Sequence, residues 1–380
     1  MSALPVLSEL SALAARDLAK ATAPPKELYT SPDILALEQQ HIFGASWLCA
    51  GRADEIPAPG DYMTYELGPQ PVILIRGKDG EISARANTCR HRMMRLVEGR
   101  GRASRFTCPY HAWTYGIDGR LVSAPHMDRT ACFERDELAL ADIRCEIYQG
   151  WIYVTLDADA APVATKLAAL TPVTERYRPQ DYVTIFSEEH VWDTNWKCLT
   201  ENFMESYHLP VAHRETVGAN FTVEENEFGD AGDGADFVYQ FFTKTEGAPV
   251  GRAHDDNDHL EGSWRYTSVM PTVFPSHMYV LAPDHLWYLS LQPEGTDRTR
   301  IRYGAALAPE VMAAAEDAKA LIAEKKAFLD KVQVEDRHVV EGIHRGALSP
   351  LGTPGPLSWM EYENHQFTRY LAGRLCTASS

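Results

Sequence analysis

"NTCRHRMMRLVEGRGRASRFTCPYHAWTY" (residues 87–115) carries two mixed pairs, Cys89-x-His91 and Cys108-x-x-His111, separated by residues 92–107. Thiolates and imidazoles together select zinc or iron–sulfur clusters. Zinc sites usually keep like ligands together, as Cys-x(2–4)-Cys and His-x(3–5)-His. Here each pair mixes one cysteine with one histidine. That pattern suits a two-iron cluster in which one iron takes both thiolates, the other takes both imidazoles, and each loop serves both metals. The competing interpretation is a structural zinc knuckle.

The rest of the chain sets the context. Its 380 residues are 45% apolar, enough for a large core divided among two or three domains. The net charge of −17, from 36 basic and 53 acidic side chains, argues against nucleic acid or an anionic membrane as a partner. Seven dispersed cysteines (Cys49, Cys89, Cys108, Cys132, Cys145, Cys198, Cys376) fit a reducing compartment with some of them as metal ligands. The opening "MSALPVLSELSALAARDLAK" lacks a basic n-region and is broken by Glu9, Arg16 and Asp17, so no signal peptide is expected. No apolar run approaches the length of a membrane span. A cytoplasmic protein follows, in which the "NFT" at Asn220 is a chance match to a glycosylation acceptor.

Texture divides the chain. Residues 1 to about 40 read as helix broken at "APPKE". From Trp47 to Leu156, short runs such as "YMTYEL", "PVILIRG", "RFTC" and "GWIYVTL" lie between Gly, Pro and Asp turns, the mark of an all-β module. "DADAAPVAT" reads as a link. Beyond it, "HVWDTNWKCLTENFMESYH" reads as helix up to Pro210, "MYVLAPDHLWYLSLQPEGTDRTRIRYGAALAP" as two strands and a turn, and residues 310–346 as a long charged helix. "LSWMEYENHQFTRYLAGRL" reads as an amphipathic helix with Trp359, Tyr362, Phe367 and Tyr370 on one stripe, and "HDDNDH" (254–259) as a solvated acidic loop.

A second constellation lies in "NWKCLTENFMESYHLPVAHRE". On a helix, His208 would share a face with Glu205, and Pro210 would end that helix so that His213 swings back towards His208. Two imidazoles and one carboxylate on one side of a metal leave positions open, as in non-haem iron(II) oxygenases. For the carboxylate, "VQVEDRHVVEGIHRGALS" offers Glu335, Asp336 and Glu341, and helical spacing does not choose among them.

At the first pair of loops the chain resembles the Rieske iron–sulfur domain of ring-hydroxylating oxygenase α subunits. "CPYHAWTY" and "DGRL" (118–121) match that family's second ligand loop and the turn after it. One departure is visible: the family usually has glycine after "CRHR", where this chain has Met93 and Met94. The late "ED" also resembles the family's acidic motif, whose Asp ligates iron; this assigns Asp336, with Asp330 and Glu341 as fallbacks.

The resemblance implies an α+β protein: an all-β Rieske domain (42–158) plus a helix-grip catalytic domain with an antiparallel sheet (1–41 and 159–380). The implied cofactors are a Rieske 2Fe-2S cluster on Cys89, His91, Cys108 and His111, and a mononuclear Fe(II) on His208, His213 and Asp336. It further implies a homotrimer in which the cluster of one subunit faces the iron of its neighbour, with a carboxylate, here Glu205, coupling them. Glutamate at that place resembles the subgroup that hydroxylates or demethylates quaternary ammonium compounds such as carnitine and glycine betaine. Electrons would come from a separate flavin/iron–sulfur reductase using NAD(P)H, since the chain has no dinucleotide fingerprint. O2 and a small molecule would be the substrates. Phe203, Tyr207, Trp264, Phe274, Tyr279, Trp287, Trp359 and Tyr362 are the aromatics available for a cation–π cage or an arene pocket. The alternatives are the same machinery acting on an aromatic acid, and a non-enzymatic iron–sulfur electron carrier.

Overall fold

A computed structural model describes residues 3–222, 226–232, 234–244 and 251–376. The chain separates into two compact units, residues 43–163 and residues 1–42 together with 164–380.

Residues 43–163 are built from short strands: β1 (Leu48–Arg52), β2 (Asp61–Leu67), β3 (Gln70–Arg76), β4 (Ile82–Ala86), β5 (Arg100–Arg102), β6 (Arg105–Thr107), β7 (Thr114–Gly116), β8 (Leu121–Ser123), β9 (Asp142–Tyr148) and β10 (Trp151–Thr155). Seven form an antiparallel sheet in the order β1-β10-β9-β4-β3-β2-β5, and β6-β7-β8 form a second. The β9–β10 hairpin turns on Gln149 and Gly150, at φ 50° and 84°. Positive φ at both turn residues matches the twist of the strands they join. Ile73, Ile75, Phe106, Trp113 and Leu121 bury against Cys89, Cys108 and Tyr115. The apolar core therefore ends at the loop between β4 and β5 and the loop between β6 and β7, which carry the two Cys-His pairs.

The other unit contains helices α1 (Ala3–Ala14), α2 (Glu27–Thr30), α3 (Pro32–His41), α4 (Trp196–Met204), α5 (Leu209–Ala212), α6 (Ala318–Ala347) and α7 (Tyr362–Leu375). Its strands are β11 (Val183–Trp192), β12 (Asn226–Phe228), β13 (Phe237–Thr243), β14 (Thr267–Val273), β15 (His277–Leu281), β16 (His285–Pro293) and β17 (Thr299–Leu307). They make one antiparallel sheet in the order β11-β17-β16-β15-β14-β13-β12. The thirty-residue α6 starts where the Asp317 carboxylate accepts the Ala320 N–H at 3.0 Å, and it packs against α2, α4, α5 and β11.

Three local expectations are corrected. "HVW" completes β11, and α4 begins only after Asn195, whose side chain accepts the Lys197 N–H at 3.1 Å. The stretch from Met278 to Leu307 holds parts of three strands rather than two, because Pro283 and Asp284 turn the chain between β15 and β16. Trp359 lies in a 3₁₀ turn before α7 and is 60% exposed, so the terminal stripe buries Phe367 without it. The acidic loop at 254–259 is held by ordinary hydrogen bonds, such as Arg265 to the His254 and Asn257 carbonyls. Among the described residues, no helix is long and apolar enough to cross a membrane.

Candidate metal centres

The two Cys-His loops of the β unit share one backbone design. The Cys89 N–H donates to the Met94 carbonyl at 2.8 Å and the Met93 N–H returns to the Cys89 carbonyl at 2.9 Å. In the second loop the Cys108 N–H donates to the Trp113 carbonyl at 2.7 Å and the Ala112 N–H to the Cys108 carbonyl at 3.0 Å. The fifth residue of each loop is left-handed, Met93 at φ 59° and Ala112 at φ 58°. This explains why glycine suits the Met93 position: only a residue without Cβ adopts that conformation freely. Both cysteines are buried, whereas His91 and His111 are exposed with ring centroids 4.7 Å apart. Tyr115 Oη lies 3.4 Å from Cys89 Sγ and accepts the Arg90 N–H at 2.9 Å. All seven cysteines are free thiols. Two thiols on the core side and two imidazoles on the solvent side form the mixed donor set that a Rieske cluster requires.

The second set assembles across a long sequence separation. Helix α4 stops at Met204, and Glu205 is extended at φ −118°, ψ 144°, so Glu205 and His208 do not share a helix as expected. They meet through a local turn instead. Glu205 Oε2 accepts the His208 N–H at 3.0 Å, and Oε1 sits 2.7 Å from His208 Nδ1. Pro210 begins a helix rather than ending one: it occupies the first turn of α5, where its missing N–H costs no hydrogen bond. One turn of α5 returns the chain so that the His208 and His213 rings lie 5.1 Å apart. Helix α6 brings in Asp336, with Oδ1 2.9 Å from His213 Nε2 and 3.6 Å from His208 Nε2. One ligand atom from each of the three residues lies within 4.8 Å of the other two.

Each imidazole turns its Nε2 towards Asp336, and a separate carboxylate holds its Nδ1. For His208 that carboxylate is Glu205; for His213 it is Glu335, whose Oε2 lies at 2.7 Å and also accepts the Thr216 hydroxyl at 2.5 Å. Carboxylate-backed histidines are the usual arrangement in metal sites, since the backing group fixes both tautomer and ring orientation. Burial alone would lower the His208 pKa, but Asp336 and Glu205 outweigh it and raise it to about 9. Burial would likewise raise Asp336, but His208 and His213 hold it below the ordinary range.

Glu335 was a candidate ligand by sequence; here it backs His213. Glu341 pairs with Arg337, and Asp330 with Lys326, so neither fallback carboxylate joins the triad. The aromatic candidates disperse. Phe203 on α4 meets Trp287 on β16 edge to face at 5.5 Å. Trp264 is already covered by the Arg176 guanidinium at 3.8 Å, Phe274 packs on Phe367 and Tyr370, and Tyr207 is 59% exposed. Spacing did not flag Asn202 Nδ2 and Gln333 Oε1. Both atoms are buried without a hydrogen-bond partner among the described residues, one turn before Glu205 and Asp336 on the helices that lead to those residues.

Comparison with known proteins agrees with this geometry. The ring hydroxylating alpha subunit family, through its catalytic domain, matches residues 175–376. The chain belongs to that family. The Rieske [2Fe-2S] domain matches residues 46–134. A carnitine monooxygenase oxygenase subunit from Acinetobacter baumannii is 33% identical over 192 residues, 50% of this chain and 52% of the relative. A glycine betaine monooxygenase oxygenase subunit from Pseudomonas aeruginosa is 35% identical over 194 residues, 51% of this chain and 45% of the relative. The chain thus spans about half the length of the relatives it matches. The crystal structure of the quaternary ammonium Rieske monooxygenase CntA with an inhibitor superposes with a TM-score of 0.82 at 23% identity, covering 96% of this chain and 98% of that one, which is a likeness of fold. As a ring-hydroxylating α subunit with a Rieske domain, the chain takes a Rieske [2Fe-2S] cluster and a mononuclear iron, and the two donor sets fit them.

Proposed function

We propose that the chain is the terminal oxygenase component of a multicomponent Rieske oxygenase that hydroxylates and N-demethylates a quaternary ammonium compound of the betaine or carnitine type. The observation that carries this is the gathering of His208, His213 and Asp336 within 4.8 Å, each imidazole backed by its own carboxylate. Residues 42–158 carry the cluster on Cys89, His91, Cys108 and His111. Residues 1–41 and 159–380 carry the iron on His208, His213 and Asp336. When bound, the cluster supplies single electrons and the iron supplies the activation of O2. A reductase oxidising NAD(P)H is the electron source, and the active assembly is a homotrimer in which Glu205 links His208 to the neighbouring subunit's cluster.

The protein's own contribution is positional. Glu205 and Glu335 keep Nε2 of His208 and His213 directed to one point, and Asp336 closes one side, leaving the other free for oxygen and substrate. The Phe203–Trp287 pair offers aromatic surface for a methylated ammonium, worth about 0.5–2 kcal/mol per cation–π contact. Overall, R₃N⁺–CH₃, O2, two electrons and two protons give R₃N⁺–CH₂OH and water, and the carbinol then releases formaldehyde. Support for the substrate class comes from glutamate at position 205 and from the relatives that act on carnitine and glycine betaine.

The test is a substrate panel of betaines, carnitine and substituted benzoates, run with a surrogate reductase while formaldehyde and O2 are followed. Formaldehyde in step with O2 uptake is expected for a betaine. Coupled O2 uptake with benzoates alone would move the chain to the arene class, and no coupled uptake with any member would overturn the proposal.

A further inference from the structure

The two imidazoles of the cluster loops differ in what covers them. His91 lies flat against Trp113: the ring centroids are 4.9 Å apart and the planes differ by 10°. Trp113 is buried in the core of the β unit, where Phe133 meets it edge to face at 5.9 Å. The Trp113 carbonyl accepts the Cys108 N–H at 2.7 Å, and the next residue, Thr114, begins β7. The indole is therefore held through its backbone by the second loop and through its ring by the core. His111 is covered by a surface residue instead. Tyr110 lies over it at 3.7 Å with the planes tilted by 34°, but Tyr110 is 53% exposed. Its hydroxyl accepts from Arg92 Nη1 at 3.3 Å, the Arg92 guanidinium stands 5.7 Å from its ring, and Arg92 is itself exposed. One imidazole thus has a fixed, dry neighbour and the other a solvated one.

That difference bears on the cluster potential. Reduction adds one negative charge to a cluster that two thiolates, two sulfides and two neutral imidazoles leave uncharged when both irons are ferric. An apolar shell that keeps water away disfavours the charged, reduced form. The negative face of an indole acts in the same direction, because it stabilises the more electron-poor imidazole of the oxidised form. Ring orientation matters as well, since a group packed on a ligating histidine fixes how that ring presents its nitrogen. On the His91 side all three effects come from one residue, Trp113. On the His111 side, water already reaches the covering ring.

We propose that Trp113 is a positioning residue for His91: it fixes the plane of the imidazole, keeps water from that face and thereby holds the cluster potential low. A lower potential makes the cluster a readier electron donor to the iron. Phe133 acts behind Trp113 by seating the indole. Tyr110 and Arg92, by contrast, cover His111 without setting the potential. The inference concerns the cluster alone and holds whichever substrate the iron site takes.

The test compares the holoenzyme with its Trp113→Leu, Trp113→Phe and Tyr110→Ala variants by spectroelectrochemical titration and by pulsed EPR of the reduced cluster, which resolves the couplings of the two ligand nitrogens. At the wild-type midpoint, Trp113→Leu is expected to raise the ratio of reduced to oxidised cluster about threefold to tenfold, which is about 28–59 mV for one electron. It should also change one nitrogen coupling and leave the other. Trp113→Phe keeps a ring on His91 and should shift less than half as far. Tyr110→Ala should likewise shift less than half as far. A Trp113 that only fills the core would lower the Tm of Trp113→Leu and leave potential and couplings at their wild-type values, and that result overturns the proposal. So does a Trp113→Phe shift as large as that of Trp113→Leu, or a larger shift in Tyr110→Ala. If Trp113→Leu does not retain the cluster, Phe133→Leu takes its place, because it withdraws the ring that seats the indole. A smaller upward shift with a change in one nitrogen coupling is then expected, and wild-type values would overturn the proposal.

Discussion

Removing Glu335 should weaken iron binding without touching the cluster. Among the described residues its Oε2 is the only carboxylate oxygen placed on His213 Nδ1, at 2.7 Å, and it is itself braced by the Thr216 hydroxyl at 2.5 Å. His213 is buried, so among the described residues no alternative acceptor is positioned to fix its tautomer. Loss of such a backing group typically costs ten- to a hundredfold in metal affinity, or about 1.4–2.7 kcal/mol. Glu335→Gln keeps an acceptor oxygen without the charge and should fall near about tenfold; Glu335→Ala should approach about a hundredfold. Thr216→Val leaves the carboxylate in place and should cost less than either. The assay is anaerobic Fe(II) titration of iron-depleted protein, with the visible spectrum of the cluster as internal standard. Wild-type affinity in Glu335→Ala, or loss of cluster colour in parallel with iron, would refute the reasoning.

Three further outcomes are expected. Met93→Gly should stabilise the first cluster loop by about 1–2 kcal/mol, since Met93 holds φ 59° with its side chain 81% exposed and little packing to lose; cluster retention during thermal denaturation reads this, and an unchanged midpoint would contradict it. Tyr115→Phe removes the hydroxyl 3.4 Å from Cys89 Sγ, and at about 1 kcal/mol for that hydrogen bond the cluster potential should drop by about 40 mV, measured by spectroelectrochemistry. Burial, with no hydrogen-bond partner among the described residues, raises the Glu363 pKa well above its usual value, so the folded state retains a proton that the unfolded chain releases above pH about 4.3. Wild-type stability is then relatively greatest below that pH and declines as pH rises. The Tm gain of Glu363→Gln should be small at pH 4 and grow towards pH 8; a gain independent of pH would remove the ionisation argument.

The first donor set was legible because its information is local: two loops of six residues, each closed by its own backbone hydrogen bonds, keep ligand spacing and ligand geometry together. The second was legible only in part. Asp336 reaches His213 across more than a hundred residues, and no spacing rule predicts that meeting. Adjacent residues on α6 point about 100° apart, and that angle alone makes Asp336 line the triad while Glu335 passes beneath His213. The helical interpretation of residues 190–208 fails at its start because β11 runs on to Trp192, and at its end because a side chain competes with the helix. The Glu205 carboxylate takes the His208 N–H for itself, the kind of local capture that ends regular structure. The expected contact between Glu205 and His208 survived although the element carrying it did not. Apolar residues run through both β15 and β16, so sequence texture does not separate them; Pro283 marks the break.

The double grip of Glu205 on His208 changes what its removal means. A residue that merely relayed electrons could be deleted with both metals intact. Here Glu205 fixes the His208 backbone at 3.0 Å and its ring at 2.7 Å, so Glu205→Ala should weaken iron binding by about ten- to a hundredfold in addition to slowing turnover. Saturating iron separates the two effects. With Glu205→Ala refilled to wild-type iron content, orientation loss is offset by mass action, and any remaining defect belongs to coupling between subunits. The expected result is full iron, a normal cluster spectrum and single-turnover oxidation of the cluster slowed at least about tenfold, with Glu205→Asp intermediate because its shorter side chain cannot span both His208 contacts. If refilled Glu205→Ala oxidises its cluster at the wild-type rate in the presence of substrate and O2, Glu205 only positions His208, and electrons cross the subunit boundary elsewhere.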